Sequence, residues 1–378
     1  SEMCIRDRYI SNSTDSSIGR NDKAGLYNNY LTNSTRKFSE FTSSDTYSVN
    51  GNQTLVAGWL KFNYKRTKNS GASCDEGYFD TISDAHSNCY GITITLLDDV
   101  TESSAHTFTN YGPTGYADDF SIKIALNNHT LTIPSLIFNS ESGVASINGP
   151  GKITYSSGET NVSGDSSLIR VKAGELYIDG GSYIAIDVHT AIVVDSSAKL
   201  NLSDTKSRLV IENDIELGSG CGFVIYARGT EQFIIQAKSN GIYIYGECYG
   251  IEYPGVLRVM TSYPNGNNRG VEMSVIANRG YAILKRTGNV QVGSDTCDTR
   301  DSCTAAEIAK GKLGHYGYGT EMYPYLASYS ATTNNELFPV IYNNSAVVIW
   351  YTGGRLVSTE TGLSCANGGI YSLSLIHI

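Results

Sequence analysis

A repeated pattern in the middle of the chain limits the folds that this sequence can adopt. LIRVKAGELYI, residues 168–178, aligns with AIVVDSSAKLNL, residues 191–202, and Ile169 then matches Ile192 at a shift of 23 residues. Three further apolar pairs keep this shift or nearly keep it: Val171 and Val194, Leu176 and Leu200, and Ile178 and Leu202. Apolar and polar residues alternate within each run, as in strands with one buried face. A period of this length suits one coil of a β-solenoid and is too short for most helical repeats.

Short β-like runs continue after this repeat, and Gly, Asn or polar turns follow them. They cover residues 223–227, 232–237, 241–245, 256–260, 271–277 and 281–292. A doubly wound α/β fold would need helical stretches of about ten residues between strands, and the sequence lacks them. A β-sandwich is the structural alternative, because it also consists of many short strands. The repeat favours an all-β solenoid, with Gly174, Gly180 and Gly181 at its corners.

The stretch from Phe79 to Tyr155 adds a likeness to a known fold. A β-run ends in LLDDV at residues 96–100, a second ends in NNHTL at 127–131, and a third, GVASINGPGKITY, is punctuated by glycine. These phrases resemble the opening coils of right-handed parallel β-helix proteins of the pectate-lyase-like fold, as found in large adhesin-like surface proteins, with Asn128 in place of the usual glycine. The resemblance implies a single-stranded right-handed parallel β-helix and names no activity.

A short helix is predicted before the first coil. Ile82, Ala85 and Cys89 form a narrow helical stripe, and Asp80 or Ser83 could cap its start. The first coil of a β-helix has an unpaired edge, which invites aggregation unless it is covered. We therefore expect this helix to cap the N-terminal end.

Both ends of the chain resemble translated sequencing-adapter remnants, and we expect them to lie outside the fold. The true N-terminus, with any signal peptide, would then be missing, and the protein would continue beyond Tyr371. The predicted segments are an artefact at 1–8, an irregular lead-in with a β-run at 9–78, the β-helix at 79–294, a Cys- and Tyr-rich insertion at 295–336, further coils at 337–371, and a second artefact at 372–378.

Composition and charge exclude several classes of function. The net charge of −9 argues against a protein that tracks nucleic-acid phosphates, because such proteins carry Lys/Arg stripes. The one basic cluster, formed by Lys61, Lys65, Arg66 and Lys68, is predicted to be a solvated strand edge. No run of eighteen apolar residues occurs, so no span of a membrane is predicted in this stretch.

The cysteines favour disulfides. Apart from Cys4 and Cys365, they form three close sequence pairs: Cys74 with Cys89, Cys221 with Cys248, and Cys297 with Cys303. Close pairs that bracket loops are typical of local disulfides in an oxidising compartment. Buried free thiols are the alternative. A metal site is not predicted, because CxxC spacing is absent.

The sequence predicts no catalytic residue and no cofactor. Motifs of serine hydrolases, zinc peptidases and nucleotide-binding proteins are absent. The resemblance implies that an enzyme would place paired carboxylates, or Ca²⁺-binding carboxylates with a base, on adjacent coils. The repeat places Lys172 over Asp195, and we interpret this pair and its neighbours Asp179, Asp187, Asp204 and Asp214 as solvated outer-face charges. A weak Ca²⁺ site is the alternative, and the histidines His86, His106 and His189 show no grouping.

Tyrosines provide the candidate binding residues. Tyr243, Tyr245, Tyr249 and Tyr253 form a dense group, and a second group lies between residues 316 and 329. Tyrosine offers a large amphipathic contact at low entropic cost. These rings could bind sugars or a protein partner; the alternative is that they face inward or stack in ladders.

We therefore predict a secreted or cell-surface protein with an extended, non-catalytic surface that binds a polysaccharide or a cell-surface protein. A polysaccharide lyase or glycoside hydrolase of the same fold is the alternative, and a structural spacer is the third hypothesis. Three or more converging charged side chains on adjacent coils, a Lys or Arg among them, would favour the enzyme.

Overall fold

The structure is a computed structural model. It describes residues 62–69, 71–109, 121–155, 166–186, 188–214, 222–262, 271–285 and 287–294, and the short strands at 325–329, 341–343, 349–351, 355–360, 363–365 and 370–372. The chain divides into two compact units, residues 1–62 and 63–378. All described residues except Phe62 belong to the second unit. The predicted lead-in at 9–78 and the insertion at 295–336 lie largely outside the described residues.

The described elements are one short helix and many short strands. In chain order they are β1 (Tyr64–Lys68), β2 (Gly77–Phe79), α1 (Ile82–His86), β3 (Ile92–Leu96), β4 (Val100–Thr101), β5 (His106–Thr109), β6 (Ile122–Ala125), β7 (Thr130–Thr132), β8 (Leu136–Asn148), β9 (Lys152–Tyr155), β10 (Ser167–Asp179), β11 (Gly181–Ile186), β12 (Thr190–Val194), β13 (Ala198–Ser203), β14 (Leu209–Asp214), β15 (Phe223–Ala227), β16 (Phe233–Ala237), β17 (Ile242–Gly246), β18 (Tyr249–Glu252), β19 (Leu257–Thr261), β20 (Met273–Ala277), β21 (Ile283–Lys285), β22 (Val290–Ser294), β23 (Tyr325–Tyr329), β24 (Ile341–Asn343), β25 (Ile349–Tyr351), β26 (Arg355–Glu360), β27 (Leu363–Cys365) and β28 (Ile370–Ser372). The predicted all-β class is confirmed.

Consecutive strands fall into three parallel stacks, because most strands pair with the third strand before and after them. The first stack contains β5, the start of β8, the start of β10, β12, β15, β18, β21, β24 and β28. The second contains β3, β6, the end of β8, the end of β10, β13, β16, β19, β22 and β25. The third contains β4, β7, β9, β11, β14, β17, β20, β23 and β26. Parallel pairing argues against the β-sandwich and is compatible with the predicted β-helix.

The predicted repeat coincides with the register of adjacent strands. Ile169 pairs with Ile192 between β10 and β12, and Leu176 pairs with Leu200 between β10 and β13. The first pair continues into a buried isoleucine column through Ile225, Ile251 and Ile283, all at 0% exposure. Burial of such side chains contributes about 1.5–3 kcal/mol each.

Two long strands bend at the corner between the first and second stacks. In β10 the bend occurs at Gly174, whose φ is 80°, and a Cβ there would lie 2.3 Å from the backbone oxygen of Ser140. Only glycine adopts this conformation without strain. The predicted corner glycines Gly180 and Gly181 also have positive φ, at 71° and 91°. Asn127 and Asn128 adopt left-handed φ values of 52° and 65°, which explains how asparagine replaces glycine in this turn.

Strand β1 and helix α1 lie at the N-terminal end of the parallel stacks. Strand β1 pairs antiparallel with β3, and α1 buries Ile82 and Ala85 against the core. The helix is capped by Thr81, whose side chain accepts from the Asp84 amide at 3.1 Å, and not by Asp80 or Ser83. At the other end, β27 pairs antiparallel with β26.

Arg66 corrects the prediction of a solvated basic edge. Its side chain is buried, at 8% exposure, and its guanidinium donates to the carbonyl oxygens of Asp75 at 2.7 Å and Ala85 at 3.0 Å. Burial lowers the pKa of Arg66 from its ordinary value, and Asp75 opposes that shift. The residue joins β1 to α1 and to the loop at Asp75, which a run of basic residues in sequence does not reveal.

Candidate functional site

The outward surface of the third stack around β17 carries two of the predicted tyrosines. In IYIYG the residues Ile242, Ile244 and Gly246 are buried, whereas Tyr243 and Tyr245 point outward and are half-buried. The two rings are nearly parallel and are stacked, with centroids 6.3 Å apart and an interplanar angle of 6°. We call the outward surface of β14, β17 and β20 around these rings the tyrosine face.

Register determines which side chains flank the rings. Tyr243 lies between Val210 of β14 and Ser274 of β20, and Tyr245 lies between Glu212 and Ile276. Neighbouring strands are about 4.8 Å apart, so these side chains adjoin the rings directly. The result is a surface that combines aromatic and aliphatic groups with a carboxylate.

A basic group lies at the end of the face where the strands begin. The guanidinium of Arg208 lies over the Tyr243 ring, 5.5 Å from its centroid, and its Nη2 is 2.7 Å from Oε1 of Glu272. A cation over a ring is attracted to the negative face of its π system. The ion pair with Glu272 therefore holds the Arg208 guanidinium over one side of the Tyr243 ring.

Carboxylates surround Tyr245 at the opposite end of the face. The Tyr245 hydroxyl donates to Oε2 of Glu247 at 2.9 Å. Glu247 also accepts from Nδ2 of Asn278, at 3.0 Å to each oxygen, and pairs with Arg279 at 3.1 Å. This network restricts the rotation of the Tyr245 ring.

Burial and nearby carboxylates raise the pKa values of two groups at this end of the face, Glu212 and Tyr245. Burial raises the pKa of the Glu212 carboxyl, and the charge of Asp214 raises it further, while Lys152 and Arg208 oppose the shift. Burial also raises the pKa of the Tyr245 phenol above its ordinary range, and Glu247 and Asp214 add to this shift. Glu212 and Asp214, two residues apart on one strand, share the outward side of β14.

Tyr249 belongs to a separate aromatic ladder at the start of β18. Its ring stacks on Phe223, with centroids 5.1 Å apart, and on Tyr281 at 5.9 Å. All three side chains are half-buried. The ring is therefore engaged by its neighbours on adjacent coils, which is the ladder alternative considered above.

Tyr253 is part of the core, so it does not belong to the candidate binding surface. It is 5% exposed, its hydroxyl donates to the carbonyl of Glu231, and its ring meets Phe233 edge-on. The buried ammonium of Lys285 lies 5.2 Å from the ring centroid and donates to the Tyr253 carbonyl at 2.6 Å. Burial lowers the pKa of Lys285 to about 8. Alternation in sequence did not separate this inward tyrosine from the outward ones.

The predicted outer-face charges behave differently from one another. Asp195 pairs with Arg170 at 3.0 Å and with Arg228 at 3.2 Å, so two arginines neutralise the carboxylate that the repeat had placed beside Lys172. Asp204 is fully buried and accepts four backbone N–H groups, from residues 238 to 241, at 2.7–2.9 Å. The expectation of a solvated charge is wrong for Asp204, which joins two successive coils. Asp187 lies outside the described residues.

Metal binding receives no support within the described ranges, where no group of three or more His, Cys, Asp or Glu side chains could hold an ion. The structure contains a disulfide between Cys74 and Cys89, with Cα atoms 5.7 Å apart. Cys248 is also disulfide-bonded. Cys221, Cys297 and Cys303 lie outside the described residues.

A small cleft lies where the first and second stacks meet, between the turns after β12 and β15. It has a volume of about 170 Å³, and Lys199, Glu231 and Tyr253 are among its lining residues. Ligand pockets usually measure about 300–1,000 Å³. Its size makes this cleft a weaker candidate than the tyrosine face.

Two histidines that the sequence did not group meet inside the capped end. Nε2 of His106 lies 3.1 Å from Nδ1 of His86, and both rings contact Phe108. Burial lowers the pKa of each imidazole to about 4, and the neighbouring charges of His106 and Arg66 contribute for His86. Twenty residues separate the two in sequence, which is why no motif revealed the pair.

Comparison with known proteins provides no relative: no family model, no curated protein and no solved structure matches this chain. In the part of the chain that the structure describes, no helix has the length and apolar character needed to cross a membrane. Function therefore has to be inferred from the geometry of the chain's own residues.

Proposed function

We propose that this chain is a right-handed parallel β-helix of a secreted or cell-surface protein and that its tyrosine face binds a glycan without cleaving it. The parallel, half-buried rings of Tyr243 and Tyr245 on one outward surface carry the proposal. Three stacks of parallel strands support the fold. Its handedness follows the strong general preference for right-handed connections between parallel strands.

The chemistry of the face suits a sugar chain. Pyranose rings have flat C–H faces that pack on aromatic rings, and their hydroxyls need hydrogen-bond partners at the edge of the contact. Tyr243 and Tyr245 provide an amphipathic aromatic surface, and Glu212 provides an acceptor beside it. A sheet surface is open at both ends, so a chain of several sugars could extend along it.

Secretion has separate support from the disulfide between Cys74 and Cys89. Disulfides form and persist mainly in oxidising compartments. A cell-surface or secreted location would also bring the protein into contact with polysaccharides.

The direct test is retention of the protein on insoluble or gel-embedded polysaccharides, with product release measured in the same samples. We expect retention by the wild type and at least a tenfold loss of affinity in the Tyr243→Ala/Tyr245→Ala variant, because two aromatic contacts worth about 1 kcal/mol each are lost. Tyr177→Ala is the matched control, because Tyr177 is a half-buried outward tyrosine on the second stack. Equal retention of all three proteins, or retention of none, would contradict the proposal.

A glycoside hydrolase is the second candidate, and Glu212 and Asp214 favour it. Outward residues two apart on a strand are separated by about 7 Å, within the range of about 6.5–9.5 Å for the carboxyl pair of an inverting glycosidase. The raised pKa of Glu212 would suit a general acid. Release of new reducing ends by the wild type, abolished in Glu212→Gln, would establish the hydrolase and overturn the non-catalytic proposal.

A further inference from the structure

The charges around Tyr245 narrow the kind of glycan that the tyrosine face fits. Glu212, Asp214 and Glu247 lie around this ring. Arg279 pairs with Glu247, and the charges of Lys152 and Arg208 act on Glu212. The carboxylate of Glu272 at the other end is paired with Arg208. The end of the face near Tyr245 therefore carries an excess of negative charge among the described residues.

The geometry of this end matches a cation. An ammonium group above a tyrosine ring is attracted by its π face, and adjacent carboxylates accept charge-assisted hydrogen bonds from it. Glu212 is in register with Tyr245 on the neighbouring strand, so the ring and the carboxylate can contact the same group. A uronate would instead bring its own carboxylate next to Glu212 and Asp214, and the like charges would repel each other.

We propose that the tyrosine face recognises an amino-bearing glycan, such as a chain of glucosamine units, with Glu212 and Asp214 binding the ammonium groups and the two tyrosines binding the sugar faces. This inference rests on the proposed function and adds the chemical class of the ligand. The two tyrosines account for affinity for the sugar chain itself, and the two carboxylates account for the preference among chains.

The raised pKa of Glu212 fits this assignment, because an ammonium group nearby would lower that pKa again. Binding of the amino glycan should therefore release protons from the protein near the pKa of Glu212. Titration in two buffers of different ionisation enthalpy would detect this release. A neutral glycan should not cause it.

The test compares oligosaccharides of one length by isothermal titration: a glucosamine hexamer, its N-acetylated counterpart and a galacturonate hexamer. At low salt, and at a pH where the amines are charged, we expect the glucosamine hexamer to bind about five- to tenfold more tightly than the acetylated one, as for two partly screened ion pairs. We expect the galacturonate hexamer to bind most weakly. The preference should diminish as salt is added.

Isosteric variants separate this inference from the proposed function. Glu212→Gln/Asp214→Asn should lose the preference for the amino glycan and keep its affinity for the acetylated chain. Equal binding of both chains by the wild type would overturn the inference and leave glycan binding intact. Loss of all glycan binding in the wild type would overturn both, and binding of a lysine-rich peptide in place of the glycan would assign the same charges to a protein partner.

Discussion

His86 and His106 are the residues through which acid should act on the stability of this protein. Each imidazole is almost fully buried, and each has its folded-state pKa lowered from 6.5 to about 4. Charging either ring would place a cation against Phe108 and 3.1 Å from the other imidazole. The packing at the capped end therefore requires both imidazoles to be neutral.

The sign of the pH dependence follows from proton binding. Between pH 6.5 and 4 the unfolded chain binds protons at these positions and the folded protein does not, so the free energy of unfolding falls as pH is lowered through this window. The loss is on the order of 3 kcal/mol for each imidazole. Urea denaturation at intervals between pH 7 and 4 would measure it.

A double variant attributes this slope to the pair. His86→Leu/His106→Leu should flatten the pH dependence, because it removes the two imidazoles whose pKa values are lowered in the folded state. An unchanged slope in the double variant would show that other groups cause it.

At the scale of elements, Asp204 connects the turn after β13 to the turn before β17. Its buried carboxylate accepts N–H groups from Lys238, Ser239, Asn240 and Gly241, and the strand that follows carries Tyr243 and Tyr245. Removing a buried acceptor leaves its donors without partners, at a cost of about 1–3 kcal/mol per group when no water replaces it. The position of the tyrosine face thus depends on a residue that does not touch it.

Asp204→Ala should reduce the free energy of unfolding by about 3 kcal/mol or more and should weaken glycan retention at temperatures where the variant is still folded. Denaturant titration and retention assays would measure the two effects. Glu141→Ala, at an exposed position, is the control and should change neither. An Asp204 variant as stable as the wild type would contradict the role described.

The disulfide between Cys74 and Cys89 stabilises the N-terminal cap. Cys74 and Cys89 close a loop with a sequence separation of 15 residues, and a disulfide across such a loop stabilises by about 3 kcal/mol. We expect Cys74→Ser/Cys89→Ser to lower Tm by several degrees. Reduction of the wild type, which also opens the disulfide of Cys248, should lower Tm at least as much as the double variant. A Tm that is the same in the variant and the wild type would exclude a stabilising role for the Cys74–Cys89 bond.

At the scale of the whole molecule, the architecture was largely predictable from sequence and the site was not. The coils that contain Ile169 and Ile192 are adjacent and are joined by short corners. Their pairing therefore appears in the sequence as a shift of 23 residues. The next coil pairs Ile192 with Ile225, 33 residues on, because its corners hold extra residues that need not contact the core. Such insertions hide the period without disturbing the stack.

The same insertions explain what sequence reasoning missed at the site. Alternation predicts that Tyr243 and Tyr245 share a face, but the residues beside them, such as Glu212, are fixed by corner lengths between strands. Corners also reverse the alternation, which is how Tyr253 becomes buried while Tyr249 remains on the surface. Contacts between coils carry no local signal in a single sequence.

Hydroxyl-radical footprinting of the protein with and without saturating glycan tests the central claim most directly, because it reports which tyrosines become covered. The account predicts protection of Tyr243 and Tyr245 on binding, with no change at Tyr177 on the second stack. Protection at Tyr177, or bound glycan with no protection of Tyr243 and Tyr245, would contradict it.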